Sequence, residues 1–432
     1  MQPAYLQLCL LFVQNSHYFP NIFRNCFIFT LIKRVETLNK PEKTTPMQVP
    51  STSSQEAIRK PWIIDTTLRD GEQAPGVVFN PHEKKRIAQL LSETGIDEIE
   101  VGYPAISQAE REVISEIAAM KLPVRLTTWA RANMADIELA ASCGTDAVHI
   151  SFPASRLYME LMNREYGWIQ EQLHLLVSRA RELFDFVSVG GQDATRSDVG
   201  FLRRFMLDAE AVGAERLRIA DTVGIATPES VMSLGAALRE CSPLPLEFHA
   251  HNDLGMATAN AFTALGAGFE AVSVSVTGLG ERAGNAALEE LAMALAMSGG
   301  FETHLDTTTL SRLCDVVASA SGRAIQEQKP VVGRSAFQHE SGIHCAALLQ
   351  NPLSYQPFLP SRVGRNDFEM VIGKHSGTAA IMAHFKRRGV TVSKDEAREM
   401  LESIRSHSDR LKRALRADEI EAIRRQNSVK HA

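Results

Sequence analysis

The chain has 432 residues, 44% of them hydrophobic and 22% charged, with 46 Lys and Arg against 51 Asp and Glu for a formal net charge of −5. That is globular composition. The mildly acidic balance gives no electrostatic footprint for nucleic acid or an anionic membrane, and no run of about 18 apolar residues offers a membrane span.

The first thirty residues hold seven aromatics, Tyr5, Phe12, Tyr18, Phe19, Phe23, Phe27 and Phe29, out of 28 in the chain. No Lys or Arg precedes Arg24, so a secretory signal lacks its charged start. Pro41 to Ser54 reads as a Pro/Ser/Thr linker around Met47. Residues 1–58 are therefore expected to be an extension outside the fold, spurious or disordered, with natural translation starting at Met47. The six cysteines, Cys9, Cys26, Cys143, Cys241, Cys314 and Cys345, stand singly with no Cys-x-x-Cys. Neither a zinc ribbon nor a disulfide framework is suggested, and a reducing, cytoplasmic setting is expected.

From Trp62 onward, short apolar β-type runs alternate with segments of helical period, the pattern of parallel βα units. Eight strands are expected at Trp62–Asp65, Glu98–Val101, Arg125–Thr128, Ala147–Ile150, Phe186–Val189, Arg216–Ala220, Leu246–Ala250 and Ala271–Val274. Helices between them open on Pro81, Ser107, Ser197 or Pro228, residues suited to caps and first turns. Eight units over residues 59–300 predict an α/β fold, a (β/α)8 TIM barrel. A doubly wound sheet would want a Gly-rich fingerprint at its first turn, where this chain has Arg69-Asp70-Gly71-Glu72-Gln73. Residues 301–392 then read as an appended helical subdomain, and residues 393–432 as amphipathic helices carrying Leu401, Ile404, Leu411, Leu415 and Ile423.

Active sites of such barrels lie at the C-terminal ends of the strands. Strand seven is the most informative, because period-two alternation puts Glu247, His249 and His251 on one face, the barrel interior. Two imidazoles at a barrel mouth are reconciled with burial if they bind a divalent cation. Asp70 is the best placed third ligand, because strands seven, eight and one are neighbours in a closed barrel. Two His and one carboxylate leave open positions on an octahedral ion for a chelating substrate. Arg69 beside Asp70 is placed to meet developing negative charge. After strand eight, Gly278 to Asn285 has a G-x-G-x-x-x-G spacing, wrong for a dinucleotide, and reads as a tight turn whose Asn285 faces the mouth. Gly373-Lys374-His375-Ser376-Gly377 likewise lacks the glycine a Walker A loop requires.

Asp65 to Gln73, His249 to Gly255, Gly278 to Asn285 and Glu340-Ser341-Gly342-Ile343-His344 together resemble the metal-dependent acyl-CoA condensing and cleaving barrels: homocitrate, 2-isopropylmalate and citramalate synthases and, further off, hydroxymethylglutaryl-CoA lyase. The likeness runs from about residue 60 to 390. It implies a divalent metal (Mg2+, Mn2+ or Zn2+) on Asp70, His249 and His251 with Asn285 nearby, a 2-oxo acid chelated through carboxylate and ketone, and Arg69 polarising that ketone. Gln73, Glu100 and Thr222 would shape the oxo-acid site, and His344 would reach an active site, its own or that of a partner subunit in a homodimer. The implied reaction is removal of a methyl proton from acetyl-CoA, attack on the ketone and hydrolysis of the thioester.

Relatives often carry a Glu before the Asp-Ala pair after strand five, where this chain has Gln192. Glu247 and His344 are then the proton-transfer candidates. A tyrosine found in some relatives is also absent, Phe368 standing near its place and Tyr355 being the substitute. Only about forty residues follow Val392, too few for the regulatory domain of leucine-pathway enzymes. Ala74 to Val77, Glu100 to Ala105 and Ile150 to Pro153 look closer to homocitrate synthases of the nitrogen-fixation type. Acetyl-CoA and 2-oxoglutarate are the expected substrates, with 2-isopropylmalate or citramalate synthesis as the alternative, and a lyase or a non-catalytic barrel further off. Arg131, supported by Ser151, is the candidate partner for the second carboxylate.

Overall fold

The computed structural model describes residues 59–430, so the extension read over residues 1–58, with Met47, lies outside the described residues. Eight parallel strands close a barrel in chain order. They are β1 (Trp62–Asp65), β2 (Glu98–Gly102), β3 (Arg125–Arg131), β4 (Ala147–Pro153), β5 (Phe186–Gln192), β6 (Arg216–Asp221), β7 (Leu246–Ala250) and β8 (Ala271–Val274). Closure comes from β1 pairing with both β2 and β8, Asp65 standing opposite Val274. The expected TIM barrel is what forms.

Local chemistry explains the alternation. Asn80 caps the helix Pro81–Thr94 with a capping box to Glu83, and Thr227 does the same for Pro228–Arg239 through Ser230. One expected start is displaced by a residue: Ser197 gives its hydroxyl to the Ala154 carbonyl, and Asp198 caps Val199–Ala211. The helix after β8 begins only at Leu288, because Gly278 to Ala287 folds over the barrel mouth and bridges back to His251 and Ser275.

Along β4, Val148, Ile150 and Phe152 are fully buried against the helices, while His149 turns into the lumen and meets Ser188. The lumen is filled with charge rather than with branched apolar side chains. Its floor is aromatic: the Arg125 guanidinium lies 4.6 Å from the Trp62 ring and 4.2 Å from Phe186, and Arg216 lies 4.4 Å from Trp62.

Beyond the barrel the cores divide the chain differently from boundaries at 300 and 392. The helix Leu310–Ser321, with Val332, Phe337 and Val363, continues the barrel's own core. A second core joins Cys345, Ile372, Ile381 and Phe385 to Met400, Ile404, Leu415 and Ile423, uniting the appended helices with the terminal ones. Between the two, Gln338–His339 and Glu369–Met370 pair as a short parallel sheet in a stretch expected to be helical. Among the described residues, no helix is long and apolar enough to cross a membrane.

Candidate active site

Asp70 follows β1 in a turn where its NH, like those of Arg69 and Gly71, donates to the Thr66 carbonyl. That turn aims Asp70 across the mouth at β7. His249 Nε2 stands 3.3 Å and His251 Nε2 4.0 Å from Asp70 Oδ2, and ligand atoms of the three residues all lie within 4.8 Å of one another. All three are buried. Asn285 closes the fourth side, its amide nitrogen donating to Asp70 Oδ1 at 3.0 Å, and its buried Oδ1 has no partner. Gly284 makes the turn at a φ of +88°, where an added Cβ would strike the Gly278 carbonyl.

Electrostatics hold Asp70 and His251 in ligand form. Burial alone would raise the Asp70 carboxyl, but Arg69 and then His249 outweigh it and keep the group well below its ordinary value. Burial, with His249 beside it, brings His251 down to about 4, so its imidazole is neutral. Two imidazoles, one carboxylate and an orphaned amide oxygen converging in a closed space are the donor set a divalent cation satisfies. The residues fit the metal that the motifs imply.

Arg69 gives Nη1 to Asp70 Oδ2 at 2.7 Å and Nε to Glu100. Its Nη2 has no hydrogen-bond partner among the described residues. Glu100 is fully buried between Arg69 and Arg218, whose Nη2 donates to it at 2.7 Å. Burial would raise the Glu100 carboxyl, yet Arg218 and Arg69 bring it down to about 2. It stands there as a fixed anion.

Glu247 does face the lumen, one layer below the histidines. Arg216 and Arg218 approach its two oxygens at 2.8 and 2.6 Å, and Ser273 donates to it. Burial is outweighed by Arg218 and Arg216, and its carboxyl falls below the usual value. A carboxylate clamped by two guanidiniums and closed off from the mouth is a counter-ion, so the expectation of proton transfer by Glu247 is corrected on this geometry.

The other expected residues are less closely gathered. Thr222 accepts from the Asp193 NH at 2.8 Å and ties the end of β6 to that of β5. Gln73 lies on the exposed side of the turn Gly71–Gln73. Arg131, the last residue of β3, stands opposite Ser151 within β4. Arg131 is 61% exposed in its side chain and is held by Asp136 through two hydrogen bonds of 2.9 and 3.0 Å. His344, in the helix Gly342–Leu348, stacks on Tyr355 at 4.0 Å within the C-terminal part of the chain and bonds to no triad residue. Four lumen residues escaped the sequence reading: Glu98, His149, Arg216 and Arg218. The His149 imidazole is kept far below its ordinary pKa by burial and by Arg218.

An eight-stranded barrel with a two-histidine, one-carboxylate mouth defines a class of metal-assisted enzymes, and the sequence comparisons agree. Residues 60–317 match the HMGL-like family and residues 331–412 the homocitrate synthase post-HMGL domain-like family. The chain is 43% identical to 2-isopropylmalate synthase 2 of Caldanaerobacter subterraneus subsp. tengcongensis over 82% of its length and 92% of that protein. It is 40% identical to homocitrate synthase 1 of Nostoc sp. over 87% of its length and all of that protein. The hydroxymethylglutaryl-CoA lyase structure from Pseudomonas aeruginosa shares the fold at a TM-score of 0.56 and 22% identity, covering 62% of this chain and 94% of that one. The chain belongs to the HMGL-like family, in its 2-isopropylmalate synthase and homocitrate synthase branch.

Proposed function

We propose that the chain transfers the acetyl group of acetyl-CoA onto the ketone carbon of a 2-oxo acid, with 2-oxoglutarate as acceptor and homocitrate and CoA as products. The observation that carries the reaction class is the buried triad of Asp70, His249 and His251 beside an arginine whose Nη2 has no hydrogen-bond partner among the described residues. Asp70, His249 and His251 would hold a divalent cation, which would supply Lewis-acid polarisation of a carbonyl there. Arg69 then offers Nη2 to the ketone oxygen as it gains negative charge. A base takes a proton from the acetyl methyl, the carbon attacks the ketone carbon, the new alkoxide takes a proton, and water cleaves the thioester to release CoA. Gln192 is an amide and Glu247 is clamped, so His344 of the partner subunit in a homodimer is the proposed proton acceptor.

The choice of 2-oxoglutarate rests on homocitrate synthases among the relatives and on Arg131 with Ser151 at the mouth. One observation favours 2-isopropylmalate or citramalate synthesis instead: Asp136 already neutralises Arg131, leaving less charge for a second carboxylate. Steady-state kcat/KM for 2-oxoglutarate, 2-oxoisovalerate and pyruvate, in wild type and Arg131→Ala, separates the two. A homocitrate enzyme prefers 2-oxoglutarate and loses that preference in the variant. A wild-type preference for 2-oxoisovalerate or pyruvate overturns the homocitrate reading.

A further inference from the structure

A ladder of alternating charges climbs from the barrel floor to the metal triad: Glu98, Arg216, Glu247, Arg218, Glu100, Arg69 and Asp70. Each is buried. Glu98 takes both Nη groups of Arg216 at 2.9 and 2.8 Å, and Glu247 lies between Arg216 and Arg218. The two Nε groups meet Glu247 as ion contacts, since neither N–H is directed at the carboxylate. Glu100 is different: one oxygen accepts from Arg218 Nη2 and the other from Arg69 Nε.

That sharing has a consequence for Arg69. A guanidinium is planar, so fixing Nε on Glu100 and Nη1 on Asp70 also fixes the direction of the free Nη2. If Arg218 were removed, Glu100 would lose the donor that sets its own rotamer. Arg69 could then turn its fork wholly onto Asp70, carrying Nη2 away from the mouth.

We propose that Arg218 is a positioning residue for the condensation, acting through Glu100 to aim the free Nη2 of Arg69 at the ketone oxygen of the acceptor. This rests on the reading of the site as a 2-oxo acid condensing centre. Glu247 braces Arg218 from below, which accounts for a buried carboxylate that the reaction itself does not use.

The test is a double-mutant cycle in the full chain. Arg218→Met should lower kcat at least about tenfold, since misplacing a catalytic group by an ångström can lose about a hundredfold. In an Arg69→Ala background the same substitution should change kcat less than about twofold, because its route of action is gone. Metal affinity measured by calorimetry should stay within about threefold, since Arg218 touches no ligand, and Arg218→Lys should recover part of the rate. An equal fall in both backgrounds, or metal affinity falling in step with kcat, overturns the proposal. Should Arg218→Met fold poorly, Arg218→Met/Glu247→Gln removes the charge pair together. In protein labelled with 15N-arginine, the Arg69 Nε–H should be protected from exchange in wild type and unprotected in that double variant, and protection retained there overturns the proposal without any assay of turnover. A wild-type chain that released no CoA would instead refute the functional reading alone.

Discussion

Replacing Arg216 by Met should destabilise the protein more than any surface substitution. Both carboxylates it serves, Glu98 and Glu247, are fully buried. Arg125 sits 3.8 Å from Glu98 and only partly compensates it. Removing one partner of a buried ion pair leaves an uncompensated charge and costs about 3–5 kcal/mol. Met keeps an aliphatic stem of similar length but gives up the guanidinium's place over the Trp62 ring, so the loss is mainly electrostatic. About 4 kcal/mol, at about 2 °C per kcal/mol for a large domain, lowers Tm by about 8 °C. Thermal denaturation followed by circular dichroism reads this, with Glu98→Gln/Arg216→Met/Glu247→Gln as control, because removing the charges together should restore most of the loss. A single variant within about 2 °C of wild type, or a triple variant as unstable as the single one, would refute the reasoning.

Further outcomes follow from the same geometry. Gly280→Ala places a Cβ 2.5 Å from Asn285 Nδ2 and 3.2 Å from Asp70 Oδ1. Metal affinity by calorimetry should fall about 10–100-fold, as for disturbed groups around a metal, and unchanged affinity would show that the turn yields freely. Burial raises the Asp65 carboxyl to about 7 despite hydrogen bonds from Thr67. The folded state thus holds a proton that the unfolded chain loses near pH 4, so stability should fall from about pH 4 to 7 and level off above. The Tm-against-pH curves of wild type and Asp65→Asn should diverge across that window, and parallel curves would contradict the assignment. If His344 serves a partner's mouth, mixing His344→Ala with Arg69→Ala chains should restore up to about a quarter of wild-type activity, since half the dimers then hold one intact site. Demonstrated mixed dimers without activity would exclude it.

The barrel is legible in the sequence because strands are marked by short apolar runs and helix starts by Pro81, Ser107 and Pro228. The ends of β3, β4 and β5 run three residues further than expected. Arg131, Ser151 and Gln192 look like loop residues, yet their backbones continue the ladder. Asp70, His249 and His251 could be read because His-x-His has the strand period and a closed barrel makes β1 a near neighbour of β7. The charge ladder could not be read as a network. Glu98-x-Glu100 and Arg216-x-Arg218 show the right period, but their partners are 118 residues apart, and only the closed lumen brings β2 opposite β6. Charged residues at strand positions are ordinarily taken to face solvent. The hold of Asp136 on Arg131 lay only five residues away, and it changes what that arginine can recognise.

If the triad at the barrel mouth drives condensation of acetyl-CoA with a 2-oxo acid, thiol release depends on the metal ligands and on the oxo acid together. The direct measurement is release of free CoA thiol from acetyl-CoA by wild type, Asp70→Ala and His251→Ala, with and without a 2-oxo acid and with and without a chelator. Release is expected only from wild type, only with the oxo acid present, and it should be lost on chelation and recovered on adding back a divalent cation. Thiol release that survives chelation or either substitution would contradict it, as would its absence with 2-oxoglutarate, 2-oxoisovalerate and pyruvate alike.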